Sequence, residues 1–431
     1  MPDIFPRTKI DAKASSQGNA TSSIGEEVNA FVKQTDSLLT SLLLAMKVMT
    51  TVRDKVSESL KGFFDKHGTL VRETDGYAFY SVGSEHASQS ENLKKQLDHA
   101  ESALAVLPRS FLVSLSAQFE VYLARLIRAM YYLKPELLDA SDNTLSFAKL
   151  LELQSIDAAK EYLLEKEIEC ILRKSTAEQF TWLENKFGVS LKKEFVNWPV
   201  FIEIMECGNH VVYRNGVISE RYIAVCKEFG VRLGSAVAVG DALPPVGPEY
   251  FDTACRSLYE MGVKLAHLLW RKFKPEDLEE ADKNLIAITH DLIALEKYRL
   301  AITLLDFAVL TLKSHFSEET RRAFIINRAQ AYKWNKQENL CSLILSRDDW
   351  VGHDDKLQLA VAVLSDNFVL AARLMEKIGP DDAHETGYRE WPLFREFRKS
   401  SEFHQAYEKI FSRKFVKIEQ VPKHASAAAN P

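Results

Sequence analysis

The chain has 431 residues, 46% of them hydrophobic, and a formal net charge of -5. This length has room for two or three domains with a large core, and the weak negative charge argues against a protein that holds nucleic acid by its global field, while leaving room for a local basic cleft. The five cysteines are odd in number and widely spaced, which argues against a disulfide framework or a Cys-x-x-Cys metal site and favours reduced thiols in a cytoplasmic protein.

The N-terminal region begins with a polar segment and continues into a long helix. Residues 1–24 are rich in small polar side chains and lack the apolar core of a signal peptide, so they are expected to be disordered. A helical pattern then extends over 26–64. Its apolar run at 38–49 includes Lys47 and is shorter than the roughly 20 residues that span a bilayer. No association with a membrane is therefore expected.

A second helix is expected after the polar interval 75–92. Ser88 and Glu91 have the spacing of a capping box, in which two side chains satisfy free amide groups at a helix start. We predict that this helix ends near Pro108.

The segment 110–133 is the clearest helix in the sequence. Its apolar residues recur every three or four positions and form one stripe: Leu112, Leu115, Phe119, Tyr122, Leu126, Ala129 and Leu133. A second apolar face indicates that the helix is central to its domain. Glu120 lies beside that face, where a carboxylate is costly unless paired. It is either a solvated residue at the edge of the face or a buried polar partner of a functional site.

Further helices are predicted up to Pro275. Two of them cover 146–173 and 175–187, the second opened by a Ser175-x-x-Glu178 capping box. The segment 230–251 is rich in glycine and proline and predicts a loop or small hairpin. A last helix, beginning near residue 249, should end before Pro275, because the residue that precedes a proline disfavours the helical region.

Beyond Pro275 the pattern changes to shorter helices with short breaks. Small residues recur at the ends of three similar segments, "YRLA" at 298–301, "ENLC" at 338–341 and "FVLA" at 368–371. This pattern resembles tetratricopeptide-type helical hairpins, in which small residues let paired helices approach closely; an ordinary helical bundle is the alternative. We predict a helical-repeat-like domain over 276–412, closed by residues 391–411, and a flexible tail over 413–431.

The stretch "MECGNHVVYRNGVIS" at 205–219 allows two interpretations. The β-branched residues on either side of Asn215-Gly216 favour a hairpin. Alternatively, a helix runs from Trp198 to about Tyr213, with Val211 and Val212 as its last buried positions and Asn-Gly as its turn.

The first 275 residues resemble the HEPN superfamily. The resemblance rests on a long helix with Glu120 among apolar residues, on further helices, and on Asn209, two hydrophobic residues and a trailing Asn-Gly; it covers roughly residues 30–275. In ribonuclease members the signature is Arg-Asn-x-x-x-His, and two protomers join these residues in a cleft that supports attack of an RNA 2'-hydroxyl on the adjacent phosphate.

The resemblance implies an HEPN-like helical domain over 25–275, a homodimer through the motif-bearing helices, and a bacterial toxin-antitoxin or antiviral defence context. It also favours the helix over the hairpin at 211–218.

The motif is degenerate at the two positions that carry the chemistry. Gly208 stands where arginine is expected, and Tyr213 stands where histidine is expected. Arginine supplies a permanent charge and a fork of donors for phosphoryl oxygens, whereas histidine titrates near neutrality. His210 and Arg214 share another helix face, about 100° away, so they cannot replace the pair. The sequence therefore predicts an all-α, catalytically silent scaffold or regulatory interaction protein, without cofactor or metal, whose C-terminal helices bind an unknown protein partner.

Two other functions stay open at this stage. One is a divergent, metal-independent endoribonuclease that uses Glu120, Asn209 and Tyr213 with Arg125 or Arg128 from the central helix. The other is RNA binding without cleavage, whose affinity would fall steeply with salt.

Overall fold

In the computed structural model, the described residues are 23–74, 77–138, 144–193, 195–234, 237–243 and 246–416. Over these residues the protein is all-α, as predicted, with sixteen α-helices and one antiparallel sheet of two strands. The chain divides into two compact units at Pro275 and Glu276. The predicted disordered N-terminus and flexible tail lie outside the described residues, apart from residues 23–24 and 413–416.

The N-terminal unit contains two very long helices and six shorter ones. They and the two strands are α1 (Ile24–His67), β1 (Gly68–Thr74), β2 (Tyr77–Val82), α2 (Ala87–Leu133), α3 (Phe147–Leu153), α4 (Ile156–Leu172), α5 (Thr176–Phe187), α6 (Trp198–Arg214), α7 (Glu220–Glu228) and α8 (Pro248–Phe273).

Helix α2 differs from its prediction at two points. It continues through Pro108, which is buried inside the helix. Proline removes one helical hydrogen bond, but α2 as a whole packs against α1 and α8, and Phe111, three residues after the proline, contacts Phe251 of α8. The expected capping box is also wrong, because the helix begins after His86 without a side-chain cap and Glu91 pairs with Lys95 at 2.7 Å.

Other helix boundaries follow local signals closely. The Ser175 and Glu178 capping box is confirmed at the start of α5, and α8 ends at Phe273, before Pro275. The helix predicted over 146–173 is two helices. Gln154 between them has a φ of 60°, and Ser155 caps the second with its side chain.

A β-hairpin of β1 and β2 connects α1 to α2, and it is not among the predicted elements. Strands β1 and β2 pair from Gly68 opposite Val82 to Leu70 opposite Tyr80, and the register then shifts at a bulge before Arg72. Asp-Gly at 75–76 lies outside the described residues, but it is the sequence signal that predicts a tight hairpin turn.

Three helices meet closely in the core of the N-terminal unit. The ring of Phe31 in α1 stacks on Tyr122 in α2 at 4.3 Å, and the Tyr122 hydroxyl donates to the Gly262 carbonyl in α8 at 2.9 Å. A Cβ on Gly262 would lie 2.4 Å from the Phe31 ring. Only glycine therefore allows α8 to approach α1 this closely.

The far halves of α1 and α2 are largely exposed and form what we call the arm, residues 43–74 and 77–107. Of the arm side chains that the structure describes, only Phe63, Ser90 and Ala100 are buried. The other halves of the same helices pack against the rest of the unit, which we call the body. At 1.5 Å per residue, the helical part of the arm is about 37 Å long. The β-hairpin lies at its tip.

One helical segment in the described part of the chain, 84–133, is long and apolar enough by length and composition to cross a membrane. Of its most apolar stretch, 44% is buried within the structure. Core helices of globular proteins share these properties.

The C-terminal unit is a series of shorter helices. They are α9 (Leu278–Ala294), α10 (Tyr298–Asp306, continued by a π-helical turn over Phe307–Thr311), α11 (Glu318–Trp334), α12 (Glu338–Leu345), α13 (Asp355–Leu364), α14 (Phe368–Ile378), α15 (Asp382–Glu390) and α16 (Ser401–Phe411).

Three helix pairs in this unit share one turn geometry. Glu296, Lys336 and Asp366 each have a φ near 60° between the first and second helix of a pair. The next residue donates its amide five residues back in every case, from 297 to 292, 337 to 332 and 367 to 362. The small residues Ala301, Cys341 and Ala371 follow at equivalent positions and are buried. A tetratricopeptide-like superhelix stays a prediction.

The predicted terminal segment, 391–411, begins with two short 3-10 turns and ends with α16. It crosses the turn ends of the helix pairs. Arg395 donates to the Tyr298 hydroxyl at 2.9 Å and to the Glu296 carboxylate at 3.0 Å, and Phe397 packs on Phe368. The segment therefore covers this edge of the unit.

Candidate functional site on α6

The region that raised two interpretations is a helix, as the resemblance predicted. Helix α6 ends at Arg214, and Asn215 and Gly216 both adopt positive φ, 49° and 74°. The Gly216 amide donates back to the His210 carbonyl at 2.9 Å, which closes the helix end. The β-branched residues after the turn pair elsewhere: Ile218 donates to the Asp241 carbonyl at 2.8 Å and accepts from the Gly240 amide at 3.0 Å.

The burial predicted at the end of α6 is wrong in part. Val211 is half-buried, but Val212 is 53% exposed. Val212 and Tyr213 are therefore both exposed to solvent at the end of the helix.

Gly208, the position expected to be arginine, is buried and faces α2. A Cβ at this position would lie only 2.6 Å from the Ser116 Oγ. The glycine therefore has a packing role, because it lets α6 and α2 approach. A guanidinium could not be accommodated at this position without separating the two helices.

The other two motif positions do not form a site within the chain. Asn209 is half-buried, and Tyr213 is 83% exposed, so its phenol points into solvent.

The supporting residues expected from the central helix are dispersed. Glu120 is half-buried, and burial raises the pKa of its carboxyl group. Arg125 lies 3.7 Å from the Glu27 carboxylate, and Arg128 pairs with Glu165. Among the described residues, no hydrogen bond connects any of these three side chains to Asn209 or Tyr213.

His210 is the only histidine in α6, and its imidazole is buried with an exposure of 6%. Its Nδ1 lies 2.9 Å from the Glu206 carbonyl, which can only accept, so Nδ1 carries the proton. Its Nε2 lies 2.7 Å from the Ser219 Oγ. The same hydroxyl accepts from the Tyr222 amide at 3.2 Å and caps α7. The imidazole thus connects the end of α6 to the start of α7.

Ser219 is a residue that the sequence reasoning missed. No helix was predicted over 220–228, so nothing indicated that a serine lay at a helix start. Ser219 and His210 resemble a nucleophile and base pair in their spacing, but Ser219 is also buried. Its hydroxyl is already used in a helix cap, and this favours a structural role.

A second polar cluster lies around Glu203, two turns before His210 on the same face of α6. Its two carboxylate oxygens accept from the hydroxyls of Tyr222 and Tyr250, both at 2.8 Å. Burial raises the pKa of Glu203, and the two hydrogen bonds partly oppose this effect. Burial also raises the pKa of the Cys207 thiol to about 12. This thiol is protonated at neutral pH and is a poor nucleophile.

One guanidinium does approach the end of α6. The Arg109 Nη1 lies 3.7 Å from the position that a Cβ on Gly216 would take. In the described part of the chain, no hydrogen bond joins Arg109 to His210. Nor does any group of three or more histidine, cysteine, aspartate or glutamate residues there have a geometry that could hold a metal ion.

No known protein family, no curated protein and no solved structure matches this chain significantly. The geometry of the chain itself is therefore the basis for assigning a function.

Proposed function

We propose that this protein is a catalytically silent interaction protein, related to the HEPN superfamily, that acts as a scaffold or regulator. The proposal rests on the burial and the hydrogen bonding of the His210 imidazole. It is the one imidazole of the motif-bearing helix, it is buried, and both of its nitrogens are engaged by Glu206 and Ser219. A general base must reach the proton that it removes, and this imidazole is not accessible to a bound substrate.

Packing at the arginine position supports the same conclusion. Gly208 is needed for the contact with Ser116, so the missing guanidinium coincides with a structural requirement. Together these residues stabilise the fold of α6. From the sequence resemblance we further propose a bacterial defence or toxin-antitoxin context.

We propose the arm as the main surface for partners. Exposed apolar side chains that cluster are typical of interaction sites in folded proteins, and nine of the described large apolar side chains are exposed along the arm. They are Leu43, Leu44, Val48, Val52, Leu70, Val71, Phe79, Tyr80 and Val106. In the C-terminal unit, residues 391–399 cover the edge where the turns of the helix pairs lie. The outer faces of its helices are therefore the surface that we propose for the protein partner of this unit.

Affinity capture from the native host, with mass spectrometry of bound proteins and sequencing of bound RNA, tests the proposal. We expect specific proteins that are lost with Leu44→Ser/Val48→Ser in the arm and retained with Leu151→Ser, an equally exposed leucine in α3. Enrichment of a specific RNA that persists in the arm variant would contradict the proposal.

A further inference from the structure

The two strands at the tip of the arm differ in charge. Strand β2 has the sequence "YAFYSV" and contains no charged residue, whereas β1 contains Arg72 and Glu73. Folded proteins usually protect a free strand edge with charges, prolines or bulges, because an unprotected edge pairs with other chains. β1 has two of these protections, since the register shift between Leu70 and Arg72 places a bulge in it. β2 has none.

The hairpin is also incomplete as a sheet. Two strands alone are marginally stable in water, and a third strand or a covering helix is normally required. Among the described residues, the stack of Tyr80 on Phe64 at 4.9 Å connects the tip to α1. Leu70, Val71 and Phe79 are each half exposed or more. The tip therefore has both an open edge and apolar area that a further strand would cover.

We propose that β2 pairs antiparallel with β2 of a second copy of this chain, so that two arm tips form a four-stranded sheet in the order β1, β2, β2, β1. A two-fold axis through the strand pair would place Tyr80 opposite its own copy and Phe79 opposite Ser81 of the other copy. The backbone N–H and C=O groups on the free edge of β2 would then form hydrogen bonds with those of β2 in the second copy.

The charges favour a second copy as the occupant of this edge. Self-pairing of β2 places no like charges opposite each other, because the strand has none. Self-pairing of β1 around Arg72 would oppose two guanidinium groups, which is destabilising, and its bulge would interrupt the ladder. The arm also keeps the two bodies apart, since each tip lies about 37 Å along the helices from its body.

This surface is distinct from the α6 motif through which the sequence resemblance implies dimerisation. Failure of this inference therefore leaves the proposed lack of catalysis untouched, and a monomer that still captures proteins through the arm would overturn this inference alone.

Sedimentation velocity of the full chain over a range of concentrations provides the test. We expect wild type to form a reversible dimer. Phe79→Lys/Ser81→Lys places lysines opposite each other across the proposed axis and should weaken dimerisation by roughly tenfold or more. The matched control, Thr69→Lys/Val71→Lys, adds the same charge to β1 at exposed positions and should dimerise like wild type.

A charge-swap mixture distinguishes an interface effect from damage to the hairpin. Phe79→Glu/Ser81→Glu should also be monomeric alone, and a mixture with the lysine variant should restore a dimer. A wild type that is monomeric at every concentration, a lysine variant that dimerises like wild type, or a mixture that stays monomeric would each overturn the proposal.

Discussion

Helices α1 and α2 each pass through two environments, because one half lies in the body and the other half lies in the arm. In the body, residues such as Phe31 and Tyr122 are fully packed, and α8 approaches so closely that only glycine is tolerated at 262. In the arm, the same two helices continue with apolar side chains exposed on both of them. Most apolar side chains on the body halves of these two helices are therefore used for folding, whereas the arm halves leave more of theirs exposed. This difference is the reason that we propose the arm as the interaction surface and a structural role for the α6 motif.

The largest effect is expected from adding a side chain at the tightest contact in the body. Gly262→Val should lower the free energy of unfolding by about 3 kcal/mol, because its Cβ would overlap the Phe31 ring, which is held by its stack on Tyr122. Chemical denaturation of the full chain measures this change.

The matched control is a glycine in the arm. Gly62 lies in α1 with nothing within 4 Å of its Cβ position. Gly62→Ala should raise the free energy of unfolding by about 0.5 to 1 kcal/mol, because alanine is the better helix former. Equal losses at both glycines would remove the distinction between arm and body.

A smaller loss is expected when the connection between α6 and α7 is broken. Ser219→Ala removes the cap of α7 and the partner of the His210 Nε2, so it should cost about 1 to 2 kcal/mol in denaturant unfolding. Ser57→Ala, at an exposed position in the arm half of α1, should change stability by less than about 0.5 kcal/mol. A negligible effect at Ser219 would show that the pair is not structural.

Glu120 provides a pH-dependent test within the body. Burial raises its pKa in the folded protein above the unfolded value, so its ionisation opposes folding. The penalty is absent below the unfolded pKa and is complete above the raised folded pKa. Glu120→Gln should therefore stabilise the protein at pH 7, by less than about 1 kcal/mol, and should have a smaller effect near pH 4. The control, Glu101→Gln at an exposed position in the arm half of α2, should change the free energy of unfolding by less than about 0.5 kcal/mol at pH 7.

The smallest effect on stability is expected at the tip of the arm. Phe79 is 50% exposed and contacts Arg72 through its ring. Phe79→Ser should change the free energy of unfolding of the monomer, measured below its dimerisation range, by about 0.5 kcal/mol or less. A loss of 2 kcal/mol or more would indicate that the tip is part of the folded core.

The sequence predicted the elements whose signals are local. The capping box at Ser175, the end of α8 before Pro275 and the Asn-Gly turn after α6 each depend on a few neighbouring residues. Pro108 was misread because packing of α2 on α1 and α8 outweighs a local penalty.

The arm could not be predicted, because the apolar spacing of a helix does not reveal how far along its length a partner covers it. The same limit applies to Val212, whose apolar side chain is exposed near the end of α6. The sequence predicted which residues occupy the candidate site, but not the contacts that explain why they are there. Sequence alone identified glycine and tyrosine at 208 and 213, but the contact of Gly208 with Ser116 and the engagement of His210 by Ser219 depend on residues distant in the chain.

Cleavage of RNA by the purified protein tests the central claim most directly, in wild type beside Asn209→Ala and Tyr213→Phe. We predict no cleavage above the buffer control by any of the three proteins, at pH values from 6 to 9 and in the presence or absence of divalent cations. Cleavage by wild type that is abolished by either substitution would contradict the account, because the α6 motif would then be a working active site.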